Sequence, residues 1–180
     1  KQHRVLCYTG SEDDVLARYV GAAELAQADV IVRVTGDCPL IDPGTIDSAV
    51  RYFLAQSYDY VSDEVGRILP RGLGVSVFTR EALVRAHRLA KDAASREHVT
   101  LYIYRHPEYF QIGHFPIPPE LRHPEWRLCV DEVDDFRLIE EIYRRLYRPG
   151  SIIDIRDVVT LLESDMSLPK INAHVCQKNP

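Results

Sequence analysis

The chain has 180 residues, 46% of them hydrophobic and 27% charged, with a formal net charge of −5. That length suits one domain large enough to bury its own core, and the acidic balance excludes a global field that would attract nucleic acid or an anionic membrane surface. Cys7, Cys38, Cys129 and Cys176 lie far apart with no C-x-x-C pair, which argues against a zinc site or a disulfide framework and suits a reducing cytoplasm.

Val5 to Tyr8 is a short apolar run that reads as a strand turning at Thr9-Gly10. Ser11 then serves as an expected N-cap, with Asp14 as the capping-box acid. Val15, Leu16, Tyr19, Ala22, Ala23 and Ala26 fall on one helical face after it. "VIVRV", residues 30–34, is apolar apart from Arg33, the pattern of a strand covered on both faces. Asp42 and Pro43 open a second helix as cap and first residue.

Further along, "YDYVSD" and "GVSVFTR" alternate like strands, and "TREALVRAHRLA" and "SREHVTLYIYR" have helical spacing. "YFQIGHFPIP" and "EWRLCVD" read as strands. "EVDDFRLIEEIYRRLY" is the strongest amphipathic helix, with Phe136, Ile139, Ile142, Tyr143 and Leu146 expected inward, and "DIRDVVTLLES" is a shorter one. No run approaches the roughly 20 apolar residues needed to span a bilayer, and no signal peptide is visible. Alternating strands and helices predict a single α/β domain over 1–180 with a mostly parallel sheet.

Two strands end on acids. "RVTGDCPLIDP" delivers Asp37 after Thr35 and Gly36, with Pro39 fixing the chain beyond; "EWRLCVDEVDDF" delivers Asp131 at the start of a helix. Ligands of open α/β sheets sit outside the carboxyl ends of strands. A turn or cap role accounts for one such aspartate, and Asp131, with Asp134 three residues on, fits an N-cap. Asp37 is followed by prolines rather than a helix, which capping explains poorly. Two strand-end carboxylates on one sheet edge would suit Mg²⁺, which takes one or two carboxylates plus phosphate oxygens and water. That is the constellation of phosphoryl and nucleotidyl transfer.

Six stretches taken together carry a family resemblance: "GSEDDVLARY", "ADVIVRVTGDCPLIDP", "PRGLGVSVFTREAL", "REHVTLYIYRHPE", "VDEVDDFRLIEEIY" and "KINAHVCQK". In that order they resemble the SpsF-type spore-coat polysaccharide cytidylyltransferases, relatives of the CMP-sialate and CMP-Kdo synthetases. The resemblance implies a three-layer, glycosyltransferase-A-like nucleotide-diphospho-sugar transferase fold. It implies transfer of CMP from CTP to a sugar acid, with Mg²⁺ as cofactor and release of pyrophosphate, in surface polysaccharide biosynthesis in the cytoplasm. By position, Asp37 and Asp131 match the two metal aspartates, beside Thr35 and Gly36. Arg71 and Gly72 of "PRG" match a loop over the sugar, and Arg96, Glu97 and His98 fall where acceptor-side residues lie. His98 is a candidate base for the acceptor hydroxyl, with a hydrogen-bonded anchor as its plainer role. Arg71 and Arg96 are candidate clamps for a carboxylate or phosphate, with surface ion pairing as the alternative.

Two departures stand out. Where the family pattern has Asp-Val-Glu after "PRGL", this chain has Gly74, Val75 and Ser76. The family's opening strand and basic, glycine-rich triphosphate loop have no counterpart before "KQHRVLCYTG", so the expectation is a fold incomplete at its N-terminus, a piece of a longer protein. An impaired family member acting as a binding or dimerisation module is the alternative function. Expected partners are CTP and an acidic sugar acceptor, with a homodimer as one form, and neither nucleic acid nor membrane.

Overall fold

A computed structural model describes residues 5–63, 66 and 68–177. Chain order runs α1 (Val15–Ala26), β1 (Val30–Arg33), α2 (Pro43–Leu54), β2 (Tyr60–Ser62), β3 (Ser76–Thr79), α3 (Arg80–Leu89), α4 (Ala93–Glu97), α5 (Leu101–Arg105), β4 (Ile112–Gly113), a 3₁₀ turn (Pro119–Leu121), α6 (Val133–Leu146) and α7 (Ile155–Ser164). The four strands form one sheet in the order β1-β3-β2-β4.

Alternation along the strands builds the layers. Val61 and Val77 point to one face, into a core shared with Ala49 and Phe53 of α2, Leu138 and Ile142 of α6, and Val158 and Leu162 of α7. Tyr60 and Phe78 point to the other face, against Leu16 and Ala23 of α1, Leu83 and Ala86 of α3, and Ile103 of α5. The mixed α/β three-layer architecture is the expected one. Its sheet, however, is not mostly parallel among the described residues. β1 and β2 both pair antiparallel with β3, and only β2 and β4 run parallel. β3 returns between the two earlier strands and reverses both pairings.

Several local expectations shift. Asp14, rather than Ser11, caps α1, accepting from the Ala17 amide at 2.9 Å. Asp42 caps α2 as expected, accepting from the Thr45 amide at 2.6 Å. Residues 5–8 are not a strand; Tyr8 instead lies on α1, its ring so close to Gly21 that a Cβ there would come within 2.2 Å. β1 is an edge strand among the described residues, so Val32 is exposed rather than covered on both faces. "SREHVTLYIYR" splits into α4 and α5 at His98–Thr100, where the β-branched pair Val99 and Thr100 interrupts the helical run. "EWRLCVD" contributes one isolated bridge, Arg127 with Arg71, and "YFQIGHFPIP" only the two residues of β4. On α6, Ile139 and Ile142 are buried as expected, whereas Phe136 is 56% and Tyr143 36% exposed.

Candidate active site

The loop after β1 holds Asp37, and the extended segment before α6 holds Asp131. The two segments meet directly: the Val130 amide donates to the Asp37 carbonyl at 2.8 Å. Both aspartates line a cavity of about 620 Å³. Asp131 is not the cap of α6. Glu132 is the N-cap residue, and its amide donates to Asp135, the N3 residue, at 3.0 Å. Capping therefore does not consume the Asp131 carboxylate.

Thr35 also lines the cavity, with its hydroxyl 2.9 Å from the Cys38 thiol. Gly36 does not, and a Cβ there would meet nothing within 4 Å, so no close approach demands glycine. The "PRG" loop enters the cavity with Pro70, Arg71 and Gly72. It is stitched to the Asp131 segment, since the Arg71 amide donates to Trp126 at 3.0 Å and the Leu128 amide to the Arg71 carbonyl at 2.6 Å. Gly72 has φ +100°, and a Cβ there would sit 2.5 Å from the Leu128 carbonyl carbon. Backbone packing, rather than contact with a ligand, is enough to require this glycine.

The "REHV" residues separate. His98, at the break between α4 and α5, lines the cavity; Arg96 and Glu97 do not. The Arg96 guanidinium is committed elsewhere, to Asp14 at 2.9 Å and the His87 carbonyl at 2.9 Å, so it ties α4 to α1 and α3 rather than gripping an acceptor. Glu97 is exposed at the end of α4.

Sequence reasoning missed several neighbours of the acids. Asp63, Thr100, Tyr104 and Gln177 line the cavity, alongside Arg33, whose place in an apolar strand left it either structural or facing the crevice. Asp63 is nearly buried, accepts from the Val75 amide at 3.3 Å, and lies over Gly74, where a Cβ would come 3.3 Å from its carboxylate. A side chain at position 74 would crowd this carboxylate, and an acid there would add like charge, which connects one family departure to Asp63 at the end of β2. The alternation of "YDYVSD" gave the only signal for Asp63. Tyr104 has core-like helical spacing in the sequence, and only the α4–α5 break turns it toward the cavity.

Arg127 is the other omission. It donates to Asp131 Oδ2, to Asp135 Oδ1 at 2.9 Å and to Gln177 Oε1 at 2.7 Å. Burial disfavours its charge, but the hydrogen bonds to Asp135 and Asp131 hold the guanidinium more firmly protonated. Cys38 and Cys129 also face the cavity, and burial pushes their thiols up to about 11 and about 12, which leaves neither a nucleophile at neutral pH.

The residues fit a hard divalent cation in donor type. Asp37 and Asp131 present carboxylate oxygens to one cavity, and no cluster of three or more His, Cys, Asp or Glu side chains suited to a metal occurs among the described residues. Two protein carboxylates completed by phosphate oxygens and water is the Mg²⁺ pattern, unlike the all-protein cages of zinc or calcium.

A mixed three-layer α/β fold in which two acids and a glycine-bent loop line one cavity is suited to a nucleotidyltransferase. The Cytidylyltransferase family model matches residues 1–154, and the chain belongs to that family. It is 38% identical over 172 residues to the uncharacterized protein MJ1063 of Methanocaldococcus jannaschii, covering 96% of this chain and 69% of that protein. It is 33% identical over 159 residues to the spore coat polysaccharide biosynthesis protein SpsF of Bacillus subtilis, spanning 86% of this chain but only 63% of SpsF, less than two thirds of its length. The structure of a cytidylyltransferase from Leptospira borgpetersenii superposes with a TM-score of 0.84 at 25% identity, covering 99% of this chain and 73% of that one.

Proposed function

We propose that the cavity performs Mg²⁺-dependent transfer of CMP from CTP to an acidic sugar, in the cytoplasm, for a surface polysaccharide. The observation that carries this reading is the convergence of Asp37 and Asp131 on one cavity, locked by the Val130–Asp37 backbone bond. Membership of the Cytidylyltransferase family and similarity to SpsF support the nucleotide and the pathway class.

In the proposed reaction the acceptor hydroxyl oxygen attacks the α-phosphorus of CTP, the bond to the β-phosphate oxygen breaks, and pyrophosphate leaves. Asp37 and Asp131 would hold the Mg²⁺, which when bound supplies charge neutralisation for the phosphate oxygens. His98, which also lines the cavity, would receive the hydroxyl proton in this reading. Arg71 and Arg33 give the cavity its cationic side, suited to a carboxylate or phosphate. No helix among the described residues is long and apolar enough to cross a membrane.

The test is pyrophosphate release from CTP with Mg²⁺ and a panel of sugar acids. Activity should appear with at least one acid and fall at least roughly a hundredfold in Asp37→Asn, more than an outer hydrogen-bonding partner usually costs. Equal release by the Asp37→Asn protein would remove the metal assignment.

A further inference from the structure

We infer that the segment Leu168–Gln177, which lies beyond the residues matched by the family model, is part of the active site: through Asn172 and Gln177 it holds Arg127, the residue that positions Asp131. This inference rests on the reading of Asp131 as a metal-binding carboxylate and adds the residues that aim it.

The segment is built as a strap. After α7 it runs in successive turns, with the Leu168 amide on Asp165 and the Ile171 amide on Leu168, each at 3.0 Å, and the Val175 amide on Asn172 at 2.9 Å. Leu168 is buried in the core that α6 and α7 share, and Ile171 packs against it. His174 lies 3.2 Å from Asp134, which pins the strap to the first turn of α6. Lys178 of the "KINAHVCQK" motif lies outside the described residues.

From this frame two amide side chains reach the site. Asn172 is 2% exposed, and its one NH₂ group donates twice, to the Arg127 carbonyl at 2.9 Å and to Asp135 Oδ1 at 2.8 Å. Gln177 lines the cavity and accepts from Arg127. Asp135, with no exposed side chain, then accepts four hydrogen bonds: Arg127 and Asn172 on Oδ1, and the amides of Asp131 and Glu132 on Oδ2 at 3.1 and 3.0 Å. A buried carboxylate is tolerable only when satisfied in this way. Asp131 is therefore held twice, by its own amide on Asp135 and by its Oδ2 on Arg127. Arg127 occupies one carboxylate oxygen and thereby fixes the direction of the other. Outer hydrogen bonds of this type set the orientation and basicity of metal ligands.

Mn²⁺ binding, followed by the EPR signal of the free ion with and without CTP, gives a readout independent of turnover. Arg127→Lys keeps the charge but loses the fork that bridges two carboxylates. Gln177→Ala removes a strap contact at the cavity rim and keeps the test alive if the buried Arg127 or Asn172 variants fail to fold. Mn²⁺ affinity should fall roughly 10- to 100-fold in Arg127→Lys and Asn172→Ala and several-fold in Gln177→Ala. Half-saturating Mg²⁺ for turnover should rise in parallel, with the CTP KM at saturating metal unchanged. Arg145→Ala, which breaks the Arg145 ion pairs with Glu141 and with Asp165 upstream of the strap, should bind Mn²⁺ like the parent. If the parent binds Mn²⁺ and folded Gln177→Ala and Arg127→Lys proteins bind it equally well, the strap has no such role while the metal reading stands. A parent chain that binds no Mn²⁺ with or without CTP overturns both.

Discussion

The Val130 amide and the Asp37 carbonyl share a 2.8 Å hydrogen bond, which joins the two segments that carry the acids of the cavity. Asp131 is held further by Arg127 on its Oδ2 and by its own amide on Asp135. Asp131→Glu keeps the charge but pushes the carboxylate about one methylene further. A misplacement of about 1 Å can cost on the order of 10²-fold in rate. CMP transfer by Asp131→Glu should fall by about that much, with folding unchanged; near-parental kcat would mean that geometry at Asp131 is unimportant.

Gly72, which lines the cavity, makes a structural prediction. Its φ of +100° and the 2.5 Å approach to Leu128 leave no room for a side chain. Gly72→Ala should lose roughly 2–4 kcal/mol in urea unfolding, the sum of left-handed backbone strain and overpacking. A loss below about 0.5 kcal/mol would mean that the Arg71–Leu128 stitching can slip.

The two faces of α6 should behave in opposite ways. Ile142 is fully buried between the sheet and α7, so Ile142→Ala should cost about 2–5 kcal/mol. Phe136 is more than half exposed, so Phe136→Ser should stay within about 0.5 kcal/mol. Chemical denaturation of the pair distinguishes this orientation from one in which Phe136 packs inward.

Asp135 predicts a direction of acid sensitivity. Burial pushes its carboxyl up, but the hydrogen bonds from Arg127, Asn172 and the Asp131 and Glu132 amides outweigh it and hold the group below its ordinary value of 3.8. The folded value lies below the unfolded one, so the unfolded chain takes up the proton first. The stabilisation is complete above the unfolded value and is lost as pH falls through the folded one. Urea midpoints should therefore drop as pH falls below about 4, and Asp135→Asn should flatten that part of the profile. An equal acid slope in both proteins would place the acid sensitivity elsewhere.

Much of the architecture was legible because local chemistry announces it. Asp42 before Pro43 marked the start of α2, and the apolar periodicity located α1, α3, α6 and α7. The error over Phe136 and Tyr143 has a physical cause: both fall within the apolar arc of the sequence, yet the sheet contacts a narrower stripe. Tyr143 instead spends its hydroxyl on the Pro39 carbonyl at 2.9 Å, beside the Asp37 loop. Arg96 stayed open between a substrate clamp and an ion pair because an arginine's charge is visible in sequence and its partner is not; Asp14 lies 82 positions earlier.

By itself the sequence determined the layered α/β class and the family to which its motifs belong, and it singled out Asp37 and Asp131 as candidate acids. These depend on short-range signals: periodicity, caps, turns and motif order. Only the tertiary structure decided that β3 runs antiparallel between β1 and β2, that His98 faces the cavity while Arg96 does not, and that Asp63, Arg127 and Gln177 join the site. Those facts depend on meetings between segments, some dozens of residues apart, fixed by hydrogen bonds and burial that the linear order of the chain does not encode locally.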